Sequence, residues 1–160
     1  MNERALRVLE YDKIRTKLAS HATSGPGRRK CMELEPSPDI NEIKRMQQET
    51  TDAVSRLFRK GSISFGNTKN IGPSLKRLEV GSALSMTELL NIAGLLENAA
   101  RVKAYGRHEN NETEGDSLDA IFDLLEPLTP LSTEIRRCIL SEDEVADDAS
   151  PALKNIRRQI

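Results

Sequence analysis

The chain has 160 residues, enough for one domain with a real core, and carries a formal net charge of -1. Hydrophobic residues make up 37%, charged residues 31% and aromatics 3%, with no Trp. That balance excludes a chain-wide electrostatic attraction to nucleic acid or anionic lipid and suits a helical, ion-pair-rich protein. No apolar run approaches the roughly 18 residues of a membrane span, and no apolar leader opens the sequence. A cytoplasmic protein with no membrane partner is expected. Cys31 and Cys138 lie far apart, lack metal-ligand spacing and sit among apolar helical positions, so they read as buried thiols.

In chain order, 2–10 and 11–22 read as helices with an apolar face of Leu6, Leu9, Ile14 and Leu18. Ser24-Gly-Pro-Gly27 breaks that run, and Ser24 is placed to cap a short helix over 26–34. Pro36 and Pro38 make 35–38 a linker. Asp39 and Glu42 resemble a capping box. The helix they open runs to Lys60 and carries a stripe of Ile40, Ile43, Met46, Val54, Leu57 and Phe58, which periodicity assigns to the core. Residues 61–81 are irregular, with one extended piece over 62–65 and a short helix over 71–80 using Leu75 and Leu78. Ser85-Met-Thr-Glu88 is a full capping box. Its helix, to about Arg107, is apolar around most of its circumference and is expected to be central. A polar loop over 107–116 and a short helix over 117–125, stopped by Pro127, come next. Thr129 is expected to cap a further helix, with Pro130 at its first position, running to about Leu140.

The acidic passage Glu142–Asp148 lacks the calcium-loop pattern and reads as a solvated connection, with at most a short hairpin near 139–148. Ser150 and Pro151 then start a helix whose stripe of Leu153, Ile156 and Ile160 meets no stop signal. The chain is therefore expected to continue, with 1–150 as a helical core segment and 151–160 as the start of a longer helix.

Gly61-Ser-Ile-Ser-Phe-Gly66-Asn67-Thr68 has the glycine spacing of a phosphate-binding loop but Asn67 where that loop needs Lys, so it reads as a turn. Asn111–Thr113 matches a glycosylation sequon but has no secretory signal to go with it. His21 and His108 have no neighbours at catalytic or metal spacing. The phenylalanines read as buried, which argues against a platform for stacking single-stranded bases. Arg28, Arg29, Lys30, Lys76 and Arg77 are the candidate nucleic-acid contacts, each weighed against a plain solvated helix face. No catalytic, cofactor or metal residues emerge from this segment.

The stretch Glu134-Ile-Arg-Arg-Cys-Ile139 followed by Ser141–Ile160 resembles the entry to the lever helices of bacterial MutS-like ATPases of the second branch, the MutS-two paralogues bearing an Smr nuclease domain. Ala5–Ile14, Ile63–Gly66 with Ile71–Arg77, and Leu84–Leu90 resemble the same branch, so the likeness covers the whole chain. It implies an all-α, irregular multi-helix bundle of the MutS core and lever type. It implies a longer homodimeric parent that binds ATP and Mg, hydrolyses ATP and carries an endonuclease. It also implies binding of branched DNA or the ribosome (rRNA), suppression of homologous recombination, and splitting of collided ribosomes. No Phe-x-Glu wedge of true mismatch-repair members is present: Phe58, Phe65 and Phe122 are followed two positions on by Lys60, Asn67 and Leu124. The alternative reading is a stand-alone helical interaction module without an enzyme.

Overall fold

A computed structural model describes residues 3–65, 68–108 and 115–159. Among them are nine helices: α1 (Glu3–Val8), α2 (Tyr11–His21), α3 (Gly25–Met32), α4 (Ile40–Lys60), α5 (Gly72–Glu79), α6 (Met86–Gly106), α7 (Asp119–Asp123), α8 (Thr129–Cys138) and α9 (Pro151–Arg157). The fold is all-α, and among the described residues its one β feature is the antiparallel bridge between Ile139 and Val145. No helix among the described residues is long and apolar enough to cross a membrane. The phosphate-loop-like stretch, through Gly66 and Asn67, the Asn111–Thr113 sequon and Ile160 lie outside the described residues.

Two compact units divide the chain, the first made of 1–67 and 102–125, the second of 68–101 and 126–160. In the first, Ser24 caps α3 by accepting from the Gly27 N–H at 3.1 Å. The Arg15 guanidinium donates to the Met32 carbonyl at the end of α3 at 3.0 Å and stacks over Tyr11. Asp39 caps α4 through the Asn41 N–H at 2.8 Å. Glu42 does not close the expected reciprocal box. It accepts from the Ser37 hydroxyl, whose oxygen accepts from the Asp39 N–H. Gly61 ends α4 at φ 76°, a left-handed position that disfavours any side chain.

The α4 stripe corrects the expectation from periodicity. Val54 and Leu57 are about half exposed and Phe58 is 87% exposed, while Arg56 is 1% exposed. At about 100° per residue, Val54 and Phe58 stand about 160° around the helix from Arg56. Once Arg56 turns inward, those residues must turn out. Ile43 and Met46 are half-buried in a groove with Tyr11, Leu34 and Pro36. Phe65 is also exposed, and only Phe122 of the three phenylalanines is half-buried. Ile14 and Leu18 of the expected α2 face are exposed as well, and Ala19 is the buried residue of that helix.

The second unit is built on α6. Its capping box forms in both directions: the Ser85 N–H donates to Glu88 at 2.9 Å, and the Glu88 N–H donates to the Ser85 hydroxyl at 3.3 Å. From Met86 to Ala100 only Glu97 is exposed, as expected of a central helix. Its core is Ile92, Ala93, Ile135 and Ile139, with Ile71, Leu84, Leu89 and Leu96 packed around it. Ala93 is fully buried. Residues 62–65 form no strand. In α5 the buried residue is Ser74, and Leu75 and Leu78 are half exposed. Gly81, at φ 76°, and Ser82 close α5 through Leu78 and Arg77 carbonyls, a Schellman arrangement. Thr129 is the first residue of α8 rather than its cap. Leu128 occupies the cap position in left-handed geometry, and its carbonyl accepts from the Leu131 and Ser132 N–H groups.

Candidate nucleic-acid interface

The five candidate cations fall in different units: Arg28, Arg29 and Lys30 on α3, Lys76 and Arg77 on α5. All five are exposed. Three consecutive helical residues span about 200° of circumference, so Arg28, Arg29 and Lys30 cannot share one flat face. Gly27 and Cys31 are the half-buried positions of α3, which leaves Arg28 and Lys30 on opposite edges and Arg29 pointing away. Arg29 and Lys30 also occupy the last turn of α3, where positive charge complements the helix dipole.

Arg77 is engaged inside its own unit. Its guanidinium pairs with Glu88 at 3.1 Å and donates to the Ala83 carbonyl at 3.0 Å. Glu88 further accepts from the Ser74 hydroxyl. The Ser85 N–H beside it holds its carboxyl below the usual glutamate range, against burial and with help from Ser74 and Arg77. Arg77, though exposed, is thus tied to its own unit.

The first unit also holds a charge cluster that sequence spacing missed. Arg56 donates to Asp116 at 2.5 and 2.7 Å, to the Gly106 carbonyl at 2.9 Å, and to Asp119. Its guanidinium lies 4.9 Å over the Phe122 ring. His108 completes the cluster, with Nε2 2.8 Å from the Asp119 carboxylate. Arg56 holds the Asp116 carboxyl below the usual aspartate range against burial. Burial opposes ionisation of Asp119 too, yet His108, the Asp116 N–H and Arg56 together keep it low. The partners lie 60 and 63 residues away, beyond any periodicity signal. The cluster joins α4, the end of α6 and α7. Arg56 and Asp116 lie at its buried centre, with His108 and Asp119 partly exposed at its edge.

The acidic passage forms a tight turn. The Leu140 N–H donates to the Glu144 carbonyl at 3.0 Å, and the Ala146 N–H donates to the Cys138 carbonyl at 2.9 Å. Asp147 pairs with Arg157 of α9. Among the described residues no group of three or more His, Cys, Asp or Glu is placed to hold a metal ion. Cys31 and Cys138 are free, half-buried thiols. His21 ends α2 on an exposed position.

Comparison with known proteins supplies what the geometry lacks. No family model matches the chain. It is 52% identical over 165 residues to a protein named Endonuclease MutS2 from Lachnoclostridium phytofermentans, covering 100% of this chain and 21% of that protein. It is 49% identical over 160 residues to an Endonuclease MutS2 from Agathobacter rectalis, and 44% over 160 residues to one from Ruminiclostridium cellulolyticum, in each case covering 100% of this chain and 20% of the relative. Along its whole length the chain is similar to proteins named Endonuclease MutS2. It corresponds to an N-terminal portion and spans about a fifth of the length of these MutS2 relatives. The second-branch resemblance of the 134–160 stretch and the whole-chain match thus agree.

Proposed function

We propose that this chain is the N-terminal helical support of a MutS2-type endonuclease, with 1–150 as a core segment and 151–160 as the start of a lever helix. The observation that carries the reading is the match, over the full chain, to proteins named for endonuclease activity. The engagement of Arg56, Arg77, Glu88, Asp116 and Asp119 in internal contacts supports a scaffold rather than a reaction centre. In this reading catalysis belongs to other parts of the parent. The parent is an ATPase using ATP and Mg, homodimeric, and acts on branched DNA or on collided ribosomes, which it splits. Suppression of homologous recombination follows from the DNA role. The packed helices carry nucleotide-driven motion towards the clamp.

Hydrogen exchange on the full-length protein, with and without a non-hydrolysable ATP analogue, tests this. α6 is expected to stay protected in both states while exchange changes around 150–160. Loss of α6 protection on nucleotide binding would overturn the support role. The exposed Val54, Leu57 and Phe58 favour a second reading, a helical interaction module without an attached enzyme. The downstream reading frame separates the two: a Gly-x-x-x-x-Gly-Lys-Ser/Thr motif there decides for the first.

A further inference from the structure

Helix α9 starts only a dozen residues after α8 ends, and the backbone between them is gripped from one side. Arg137, near the end of α8, donates through Nη1 to the Asp148 carbonyl at 3.0 Å and through Nη2 to the Ala149 carbonyl at 3.3 Å. These are the last two carbonyls before Ser150, the residue that caps α9 through the Leu153 N–H at 3.2 Å. Glu134, one turn earlier on α8, orients the guanidinium through bonds of 2.9 Å from Nε and 2.6 Å from Nη2. Cys138 adds a thiol that points at the same Ala149 carbonyl from 3.6 Å. The turn between the helices is closed separately by the Ile139–Val145 bridge, and Asp147 reaches Arg157 on α9.

We propose that Arg137 is a positioning residue: a clamp that fixes the direction in which α9 leaves α8. A planar guanidinium suits this task because its fork can meet a carboxylate on one edge and two carbonyls on another. A lysine has the charge but not the fork. The glutamate is what makes the clamp directional, since it holds the guanidinium on the α8 side through Nε and Nη2 while Nη1 and Nη2 also reach the carbonyls on the α9 side. The Arg137 bonds hold the carboxyl of Glu134 well below the usual glutamate range, down to about 2, so the clamp stays charged throughout ordinary pH. For its functional meaning the clamp rests on the reading of α9 as the start of a lever. Its geometry does not.

The test is the distance distribution between spin labels on α8 and α9, attached to ketone-bearing residues introduced at exposed Thr133 and Asn155 so that both cysteines stay native. A single narrow distribution is expected for the parent chain. Arg137→Ala is expected to at least double its width with helix content unchanged by circular dichroism, and Arg137→Lys to fall between the two. Glu134→Gln, which keeps the carbonyl bonds, is expected to broaden it less than Arg137→Ala. An unchanged narrow distribution in Arg137→Ala overturns the clamp, as does equal broadening in Arg137→Lys and Arg137→Ala. A second arm measures DNA-stimulated ATP hydrolysis in the full-length protein carrying Arg137→Ala. If α8–α9 broadens there while coupling is intact, the clamp stands and the lever reading falls.

Discussion

Replacing Arg56 is the sharpest test of what holds the first unit together. Arg56→Met keeps the length and apolar stem of the side chain and removes all of its donors. Two Asp116 bonds, the Gly106 carbonyl bond and the Asp119 bond go at once, with the stacking over Phe122. Removing one partner from a fully buried ion pair costs about 3–5 kcal/mol, because the remaining charge is stranded. Here the Asp119 side chain is 28% exposed, so water softens the loss. The expected destabilisation is about 3 kcal/mol, near the lower end of that range. For a chain of this size that is a fall in melting temperature of about 6–12 °C. The acid limb gives an independent check. Asp116 and Asp119 both have depressed carboxyl pKa values in the folded protein. Their contribution is therefore fully present above the unfolded aspartate value of about 3.9 and is lost as pH falls through the lower folded values. Thermal melts by circular dichroism between pH 7 and pH 2.5 are the assay. Arg56→Met should melt early at pH 7, and the gap to the parent should shrink below pH 4. A variant melting within about 1 °C of the parent at pH 7 would refute a cluster-held unit.

Gly106→Ala places a methyl 2.3 Å from Phe122, so overpacking of about 1–3 kcal/mol is expected, read as a lower urea midpoint. Ser85→Ala removes one half of the capping box and should cost about 1 kcal/mol, with faster amide exchange confined to the first turn of α6. The triple change Arg28→Ala, Arg29→Ala and Lys30→Ala tests the α3 cations by fluorescence anisotropy with branched DNA. Since the three diverge around the helix, at most about two phosphate contacts are lost and the salt slope should fall by no more than about 2. A larger drop would show that they act on one surface.

Local signals in the sequence were reliable where a side chain acts on its own neighbours. Ser24, Ser85 with Glu88, and Ser150 with Pro151 all cap the helices they were expected to cap, because the donor and acceptor lie within three residues. The same range limits what periodicity can say. It places Ile40, Val54, Leu57 and Phe58 on one side of α4, but which side is covered depends on distant partners. The Asp116 and Asp119 contacts to Arg56 decide that, and nothing in residues 40–60 points to them. Thr129 shows another limit: a Thr-Pro pair signals a helix start, yet whether Thr is cap or first residue rests on Leu128 taking a left-handed turn. For the candidate interface, the sequence located the exposed cations of α3 but could not know that Arg77 is occupied by Glu88.

One pattern recurs through both units and bears on how the basic residues should be read. Arg15 meets the Met32 carbonyl at the end of α3, Arg56 and Lys60 meet the Gly106 and Arg107 carbonyls at the end of α6, and Lys103 meets the Leu125 carbonyl after α7. Arg77 meets the Ala83 carbonyl just before α6, and Arg137 meets the Asp148 and Ala149 carbonyls just before α9. The last carbonyls of a helix have no partner within it and suit a cation; the carbonyls just before α6 and α9 lie outside any helix, and a basic side chain satisfies them simply as a hydrogen-bond donor. With 3% aromatics and a small aliphatic core, this chain uses long basic side chains as ties between element ends. A tie of this kind has direction, because a guanidinium accepts only a narrow range of carbonyl positions, whereas apolar contact does not. That property suits the proposed support role, in which the helices keep fixed angles. It also means that a count of Lys and Arg overstates the positive surface this chain offers to a phosphate backbone.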